Sequence, residues 1–381
     1  MSLETLANAA RGWRWLLPLA AQSLFARRAR LDPKQQTHLI LAIADHFEPD
    51  DGGVSSEIAR ARVAHWVREY PLSFGEFRDA DGRPPRHTFF YPIEMYNPDD
   101  LDALAGLCRR GFGEVEIHLH HDHDTPENLR ARLLDASRVL SERHGLLARD
   151  RATGAVVYAF VHGNWALNNA RADGRWCGVN DEIRVLLATG CYADFTYPSA
   201  PSPTQPPTIN RLYYAHGDPH HPRGHDRGAG VDDGPPPADS LLMVSGPLLL
   251  HYRKNRVGVV PNLENGCIQS SQPATADRVG LWLQAGVRVA ARPDWTFVKL
   301  HAHGAHERDR DTLLGAPMIQ FHRDLARRAA EDPRFFVHYV SAREMVNLIQ
   351  AASSGWLGSV ADARDFSLDW NGGRCRPPAS D

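Results

Sequence analysis

Short apolar runs alternate with helix-like segments along most of this chain, and this alternation constrains the fold more than any other feature. The runs THLILAIA at 37–44 and HTFFY at 87–91 have the length and apolar content of buried strands. Segments with the apolar spacing of helices follow them, over 56–70 and 98–110. Strands that alternate with helices form βαβ units and a mainly parallel sheet or barrel. The sequence therefore predicts an α/β fold.

Later segments continue this pattern and indicate one main domain over 31–352. Further strands are predicted at 114–120, 155–161, 192–197, 295–300 and 335–340. An insertion is predicted at 198–293, and its first part, 198–237, is rich in Pro, Gly and His. That part is expected to have little regular structure, either as a cover over an active site or as a surface insertion. Residues 353–381 are predicted to form a C-terminal tail.

The N-terminal residues 1–30 are predicted to form a separate helix. The apolar stretch WRWLLPLAAQSLF at 13–25 is too short to span a bilayer, and basic residues follow it. Three interpretations remain open: a helix packed on the domain, a helix lying on an anionic membrane surface, and a signal peptide. The expected location is cytoplasmic, and the second interpretation adds a peripheral membrane contact.

Charge and cysteine content exclude several classes of function. The formal net charge of −3 argues against a nucleic-acid partner, because such proteins carry a basic excess. The five cysteines are scattered and show no CxxC spacing, which argues against a disulfide framework and a zinc knuckle made of thiolates. Reduced thiols are typical of a cytoplasmic protein. Nothing in the sequence predicts an oligomeric state.

Histidine and carboxylate residues collect where predicted strands end. They are Asp45, His46 and Glu48 after the first strand, His118, His120, His121, Asp122, His123 and Asp124 around the end of the third, His162 after the fourth, and His301 and His303 after a late strand. The carboxyl ends of parallel strands meet at one edge of the fold. Imidazole and carboxylate are the usual ligands of catalytic zinc. We therefore expect one bound divalent metal ion, with zinc the first candidate.

Each of these residues also has a purely structural interpretation. His118 and His120 point the same way on a strand, and either can instead be a hydrogen-bonded core histidine. Asp124 can cap the helix that begins near Pro126. Asp45 can act as a general base or satisfy backbone amides. His301 and His303 can protonate a leaving group or stabilise an oxyanion, or they can form a loop pair near the surface. The segment after His162 offers an aromatic platform for a sugar, or ordinary loop packing.

The ordered motifs resemble the polysaccharide deacetylase (NodB-homology, carbohydrate esterase) pattern. The stretch HTFFYPIEMYNPDDLDALAGLCRRGFGEVEIHLHHDHD at 87–124 is similar to an ATFF-type strand and helix followed by an EIxxH strand. AIADHF at 42–47 stands where that family has an Asp-Asp motif, and VKLHAHG at 298–304 where it has Leu-x-His. FFVHYVSAREM at 335–345 resembles its closing strand and helix.

The resemblance implies a distorted (β/α) barrel with one divalent metal ion, usually zinc. It implies Asp45 as catalytic base and His301 as catalytic acid. It also implies the metal ligands His46, His120 and Asp124, while a shifted register gives His118 and Asp122 instead. This sequence departs from the pattern because His replaces the second Asp, Asp replaces the second His, and the Arg-Pro motif is absent.

These expectations combine into a hydrolase of carbon–nitrogen bonds other than peptide bonds. It would remove acetyl groups from N-acetylated sugars of a polysaccharide or its precursor, so the expected partner is a carbohydrate. One alternative is hydrolysis of another C–N bond or of a glycosidic bond, with Asp45 and Glu48 as the carboxylate pair. Another is a carbohydrate-binding protein without catalysis. Five residues form the second choice for the site: His118, Asp122, Glu48, His303 and His162.

Overall fold

The computed structural model describes residues 14–28, 35–255 and 258–370, and every statement below concerns these residues. The strands are β1 (Thr37–His46), β2 (His87–Pro92), β3 (Gly113–Leu119), β4 (Ala148–Asp150), β5 (Val156–His162), β6 (Cys191–Asp194), β7 (Leu212–His216), β8 (Ala229–Gly230), β9 (Ser240–Val244), β10 (Leu249–Asn255), β11 (Gly258–Glu264), β12 (Cys267–Ile268), β13 (Trp295–Ala302), β14 (Phe335–Tyr339) and β15 (Leu368–Trp370). The helices are α1 (Leu16–Arg28), α2 (Ser56–Phe74), α3 (Pro98–Arg109), α4 (Pro126–Glu142), α5 (Glu182–Ala188), α6 (Ala276–Ala285), α7 (Glu307–Leu314), α8 (Ala316–Glu331), α9 (Ala342–Ser353) and α10 (Val360–Ala363).

A large, mostly parallel sheet confirms the predicted α/β class. Its 13 strands include the order β12-β13-β1-β2-β3-β5-β6-β9-β7-β8, and β14 also pairs with β1. The pairs from β13 through β9 are parallel, whereas β7 pairs antiparallel with β9 and β8. β12 and β8 stand at opposite ends of this order. Closure into a barrel is therefore not observed among the described strands.

The strand β1 shows how the sheet positions a site. Leu39, Leu41 and Ile43 pack in one core cluster, which also contains residues of α2, α3 and α4. Ala42 and Ala44 face the other way, into a cluster that contains residues of α9. A strand buried on both faces reads as a continuous apolar run, which is why the run at 37–44 predicts it correctly. The alternation continues to the end of β1, so the neighbouring residues Asp45 and His46 point to opposite faces of the sheet.

Part of the segment 198–237 has more regular structure than the sequence predicts. It contains β7 and β8, and β7 pairs antiparallel with β9. Tyr213 and Ala215 of β7 are buried in the core, so the tertiary environment overrides the turn-rich composition around them. Arg223 then donates hydrogen bonds to the Ala170 carbonyl and the Asp226 carboxylate. This segment therefore packs against the loop at 163–181.

The described part of the N-terminal segment contacts the domain. Trp15 and Leu19 are buried in a small cluster with Ala200, Ile209 and Leu248. Among the described residues, no helix combines the length and apolar character needed to cross a membrane. Residues 1–13 and 29–30 of the predicted N-terminal helix, and 371–381 of the predicted tail, lie outside the described residues. The membrane-surface contact remains a prediction.

Replacing the buried His322 is expected to change how stability depends on pH. His322 packs against Phe74 and Phe321, and its Nδ1 lies 2.9 Å from the Tyr339 hydroxyl. Burial lowers the pKa of His322 to about 3. The unfolded chain binds a proton near pH 6.5 and the folded chain does not, so stability falls as pH drops from 6.5 towards 3.

His322→Phe removes this proton-linked term, while the cost of the lost Tyr339 hydrogen bond is the same at every pH. The unfolding free energy of the wild type, minus that of the variant, should fall by about 2 kcal/mol between pH 7 and pH 5. Urea titrations at each pH measure the difference. A difference that does not change with pH would contradict the predicted burial of a neutral imidazole.

Candidate metal centre

Three buried side chains bring ligand atoms together where β1 and β3 end. A nitrogen of His46, a carboxylate oxygen of Glu48 and a nitrogen of His118 all lie within 4.8 Å of one another. His46 is the last residue of β1, and His118 is the last but one of β3. Parallel strands expose their carboxyl ends at one edge, which makes residues distant in sequence neighbours in space. Two imidazoles and one carboxylate form a donor set that holds catalytic zinc.

The hydrogen bonds of this group fit a cation between its members. Nδ1 of His118 donates to the Val161 carbonyl at 2.9 Å, which leaves the lone pair on Nε2. That Nε2 lies 2.9 Å from Glu48 Oε1, and two lone pairs this close repel unless a proton or cation joins them. Nε2 of His46 is buried and has no hydrogen-bond partner among the described residues. Such an atom is costly unless a ligand satisfies it.

Burial is the main influence on the imidazole of His46. Together with the neighbouring rings of His303 and His118, it holds the pKa of His46 well below its ordinary value. The ring is therefore neutral at physiological pH and keeps a lone pair for a metal ion. Both the neutral state of the His46 ring and the short distances between the three ligand atoms therefore suit metal binding.

His120 lies at the rim of this group, between two carboxylates. Its Nδ1 is 2.6 Å from Glu94 Oε1, and its Nε2 is 3.1 Å from Glu48 Oε1. Burial alone lowers the pKa of His120, but the bonds to Glu48 and Glu94 outweigh it and raise the pKa to about 9. His120 is not one of the three residues whose ligand atoms converge, so the structure does not place it with His46 as a ligand. The Nε2 atom of His120 instead contacts the Glu48 carboxylate and keeps it in place.

Aromatic rings from two loops line the other side of His46. The ring centroid of His303 lies 4.8 Å from that of His46, and the Trp165 centroid lies 5.9 Å from it. His306 places its Nε2 3.2 Å from Asp51 Oδ2 and 3.7 Å from Glu48 Oε2. Sequence reasoning missed His306, although it follows the noted pair at 301 and 303 by only a few residues.

Asp45 occupies the opposite face of β1 from His46. Its Oδ2 lies 2.8 Å from His87 Nε2, and its Oδ1 accepts the backbone N–H of Gly304 at 2.6 Å. Asp45 is fully buried, and both of its oxygens are occupied. In this position it fixes the loop that carries His303, and the predicted role as catalytic base is not apparent from its contacts.

The remaining predicted residues lie elsewhere. His301 is buried on β13, with Nδ1 lacking a partner among the described residues. Asp122 accepts the backbone N–H of Trp176 at 2.6 Å. His162 belongs to a second buried group, and Asp124 contacts His121 of that group, so the structure does not bring His46, His120 and Asp124 together. Of the predicted ligands it joins His46 with two residues of the second choice, His118 and Glu48.

The fold and site define an α/β protein with a large, mostly parallel sheet and buried side-chain groups that can hold a metal ion. No protein-family model matches this chain, and no curated protein is significantly similar to it. The resemblance to polysaccharide deacetylases therefore depends on the motifs quoted above and remains a prediction.

Filling the space beside Gly304 is expected to disturb this site. A Cβ on residue 304 would overlap Asp45 Oδ2 and the Trp66 ring, whose Nε1 donates to the Gly304 carbonyl at 2.8 Å. Gly304→Ala should lower the unfolding free energy by about 1–3 kcal/mol, as overpacking does in a close-packed core. Because the residue adjoins His303, metal affinity should fall as well. Denaturant titration and metal titration measure the two effects.

Gly280→Ala is the matched control. Gly280 is exposed on α6, and a Cβ there meets no other atom within 4 Å. This change should raise stability by about 0.5–1 kcal/mol, because alanine favours a helix interior over glycine. Equal effects of the two substitutions would show that residue 304 has room for a side chain.

Proposed function

We propose that the protein is a metal-dependent hydrolase that removes acetyl groups from N-acetylated sugars of a polysaccharide or its precursor. The observation that supports the proposal is the convergence of His46, Glu48 and His118 at the carboxyl edge of the sheet. In this proposal the sheet is the distorted (β/α) barrel that the resemblance implies. The face of β1 that carries His46 then lies towards the barrel interior.

Three protein ligands would leave one coordination position of a zinc ion free for water or substrate. A divalent ion held by three protein ligands, zinc in the first instance, would lower the pKa of a bound water and polarise the acetyl carbonyl. Glu48 is held in place by His120, and His118 by the Val161 carbonyl. Bonds of this kind orient ligands and are a regular part of metal sites.

We assign proton transfer to His303. The resemblance implies His301 for the acid role and Asp45 for the base, but in the structure the ring of His303 lies beside that of His46. Asp45 acts through the backbone N–H of Gly304 and is a positioning residue. A general base must lie within reach of the proton that it takes, and the ring of His303 lies 4.8 Å from that of the proposed ligand His46.

Trp165 supports the choice of a sugar as substrate. Its ring lies 5.9 Å from that of His46 and 6.1 Å from that of His303, so it forms one wall beside the ligands. Ligand sites commonly combine an apolar or aromatic wall with a few convergent polar groups. Trp165 would stack on the apolar face of a sugar ring, with the N-acetyl group directed towards His46.

Acetate release tests this function directly. The zinc-loaded protein is incubated with a panel of N-acetylated amino sugars and their oligomers, and acetate and new reducing ends are measured in the same samples. We expect acetate without new reducing ends, and loss of acetate release after treatment with a chelator. New reducing ends without acetate would indicate a glycosidase, and sugar binding with neither product a binding protein.

A further inference from the structure

A second buried group lies between β3, β5 and the loop at 163–181. His121, His162, Cys177 and Glu182 each offer one ligand atom, these atoms lie within 4.8 Å of one another, and all four residues are buried. His162 ends β5, and Glu182 begins α5. Cys177 lies in the loop between them. The group therefore ties a long connection to two strand ends.

Glu182 faces both histidines of this group. Its Oε1 lies 3.0 Å from His121 Nε2 and 3.5 Å from His162 Nε2. Nδ1 of His162 donates to the carbonyl oxygen of Gly163, so Nε2 carries the lone pair. This buried Nε2 has no hydrogen-bond partner in the part of the chain that the structure describes. A lone pair that faces a carboxylate calls for a cation between them.

The carboxylate of Asp124 lies next to the imidazole of His121, on the side away from Glu182. Oδ2 of Asp124 lies 3.2 Å from His121 Nδ1, while its Oδ1 accepts the Asn128 side chain at 2.6 Å and the Thr125 N–H at 2.8 Å. The Asp124 Oδ2 and His121 Nδ1 atoms are close but do not meet hydrogen-bond geometry. A carboxylate in this place favours the proton on Nδ1, which leaves Nε2 as the ligand atom, as in most metal-bound histidines. Asp124 therefore has the position of a residue that orients a ligand.

Cys177 contributes its Sγ to this group, although burial and the neighbouring Glu182 raise the pKa of its thiol. The backbone N–H groups of Asn169 and Val179 point at its Sγ, at 3.2 and 3.4 Å. Sγ also lies 3.4 Å from Glu182 Oε2. Backbone N–H donors stabilise negative charge on sulfur, and the thiolate is the form that binds metals.

The geometry points to a structural zinc ion bound by His121, His162, Cys177 and Glu182. The thiolate and the carboxylate supply two negative charges and the neutral imidazoles none, which balances a divalent cation. Mixed sulfur and nitrogen ligands favour zinc over magnesium or calcium. Four buried protein ligands complete a tetrahedral site and leave no position for water, which separates this site from the first.

The ion would hold a connection whose backbone is unfavourable by itself. Positive φ angles occur at five residues without glycine's freedom: Asn164 (55°), Trp165 (54°), Asn168 (53°), Asn169 (52°) and Trp176 (66°). Such conformations persist only where surrounding structure imposes them. Because Trp165 lies beside His46, the zinc ion would also hold one wall of the first site.

Cobalt absorption tests this second site. Metal-free protein is titrated with Co²⁺, and thiolate-to-cobalt charge transfer is followed in the near ultraviolet. We expect the band in the wild type, its absence in Cys177→Ser and its retention in the control Cys267→Ser, since Cys267 lies outside the group. The first site contains no thiol, so this band is independent of hydrolase activity and of the proposed function.

A wild-type protein without the band, or a Cys177→Ser variant that keeps it, would overturn the proposal. His162→Gln keeps the thiol and serves as the second variant if Cys177→Ser does not fold. It should raise the cobalt concentration needed for half of the band at least about tenfold, as expected when a ligand is lost. An unchanged midpoint in His162→Gln would overturn the assignment of His162.

Discussion

His118→Ala is expected to leave a folded protein that has lost about three powers of ten in acetate release and one bound metal ion. His118 is one of the three residues whose ligand atoms converge at the strand ends. Stabilisation by a metal ion contributes several kcal/mol to lowering the barrier of a hydrolytic reaction, and about 1.4 kcal/mol corresponds to each power of ten in rate. Steady-state assays and metal analysis of the dialysed protein measure the two losses.

Two further variants make this result interpretable. Glu48→Gln keeps the size of the side chain while it removes the charge, and it should reproduce the losses of His118→Ala. His123→Asn is the matched control from the same histidine run, because His123 is exposed and asparagine tolerates its positive φ of 49°. It should behave as the wild type. Full metal content and full activity in both His118→Ala and Glu48→Gln would refute the site.

Arg343→Met is expected to lower the unfolding free energy by about 3–5 kcal/mol, because it leaves a buried carboxylate without its main partner. Nε and Nη2 of Arg343 donate to the two oxygens of Glu114 at 3.0 and 2.9 Å. Arg86 also contacts Glu114, at 3.2 Å, but it is shared with Glu344 at 2.5 Å. These four side chains are all buried. Urea or guanidinium titration measures the loss.

Arg327→Met is the control for this prediction. Arg327 pairs with Asp324 at 2.6 Å on the surface of α8, and its side chain is 62% exposed. Exposed ion pairs contribute little to stability, so this variant should unfold close to the wild type. If Arg343→Met were as stable as Arg327→Met, the buried network would not be a determinant of the fold.

The strands of the parallel sheet were predictable because burial on both faces leaves a direct trace in the sequence. The apolar runs at 37–44 and 87–91 correspond to β1 and β2, within two residues at each end. β7 lies in a region that composition marks as a loop, and its strand state depends on pairing with β9. Long-range pairing of this kind has no local signal, because the same residues are compatible with a turn.

The sequence predicted where in the fold the candidate site lies, but it predicted only part of the ligand set. Strand ends rich in histidine predicted the edge of the sheet, and the structure brings His46 and His118 together there. It does not place His120 in that group, and the His120 ring lies between the carboxylates of Glu94 and Glu48. This arrangement depends on Glu94, which lies in a short 3₁₀ segment with no signal in the sequence.

The second group was beyond sequence reasoning for a related reason. Cys177 carries no partner cysteine at a recognisable spacing, and Glu182 reads as an ordinary first residue of a helix. Their meeting with His121 and His162 depends on the path of the loop at 163–181. The sequence contains one weak indication of this group. His121 and Asp124 are three residues apart, and in the structure the Asp124 carboxylate contacts the ring of His121.

Anomalous X-ray scattering at the zinc edge, from crystals of the zinc-loaded protein, tests the central claim most directly. The account predicts a peak bounded by Nε2 of His46, the Glu48 carboxylate and Nε2 of His118, with an open side towards His303 and Trp165. The same map reports on the second group, at a separate position near Cys177. Zinc-loaded crystals without a peak between His46, Glu48 and His118 would contradict the proposed catalytic site.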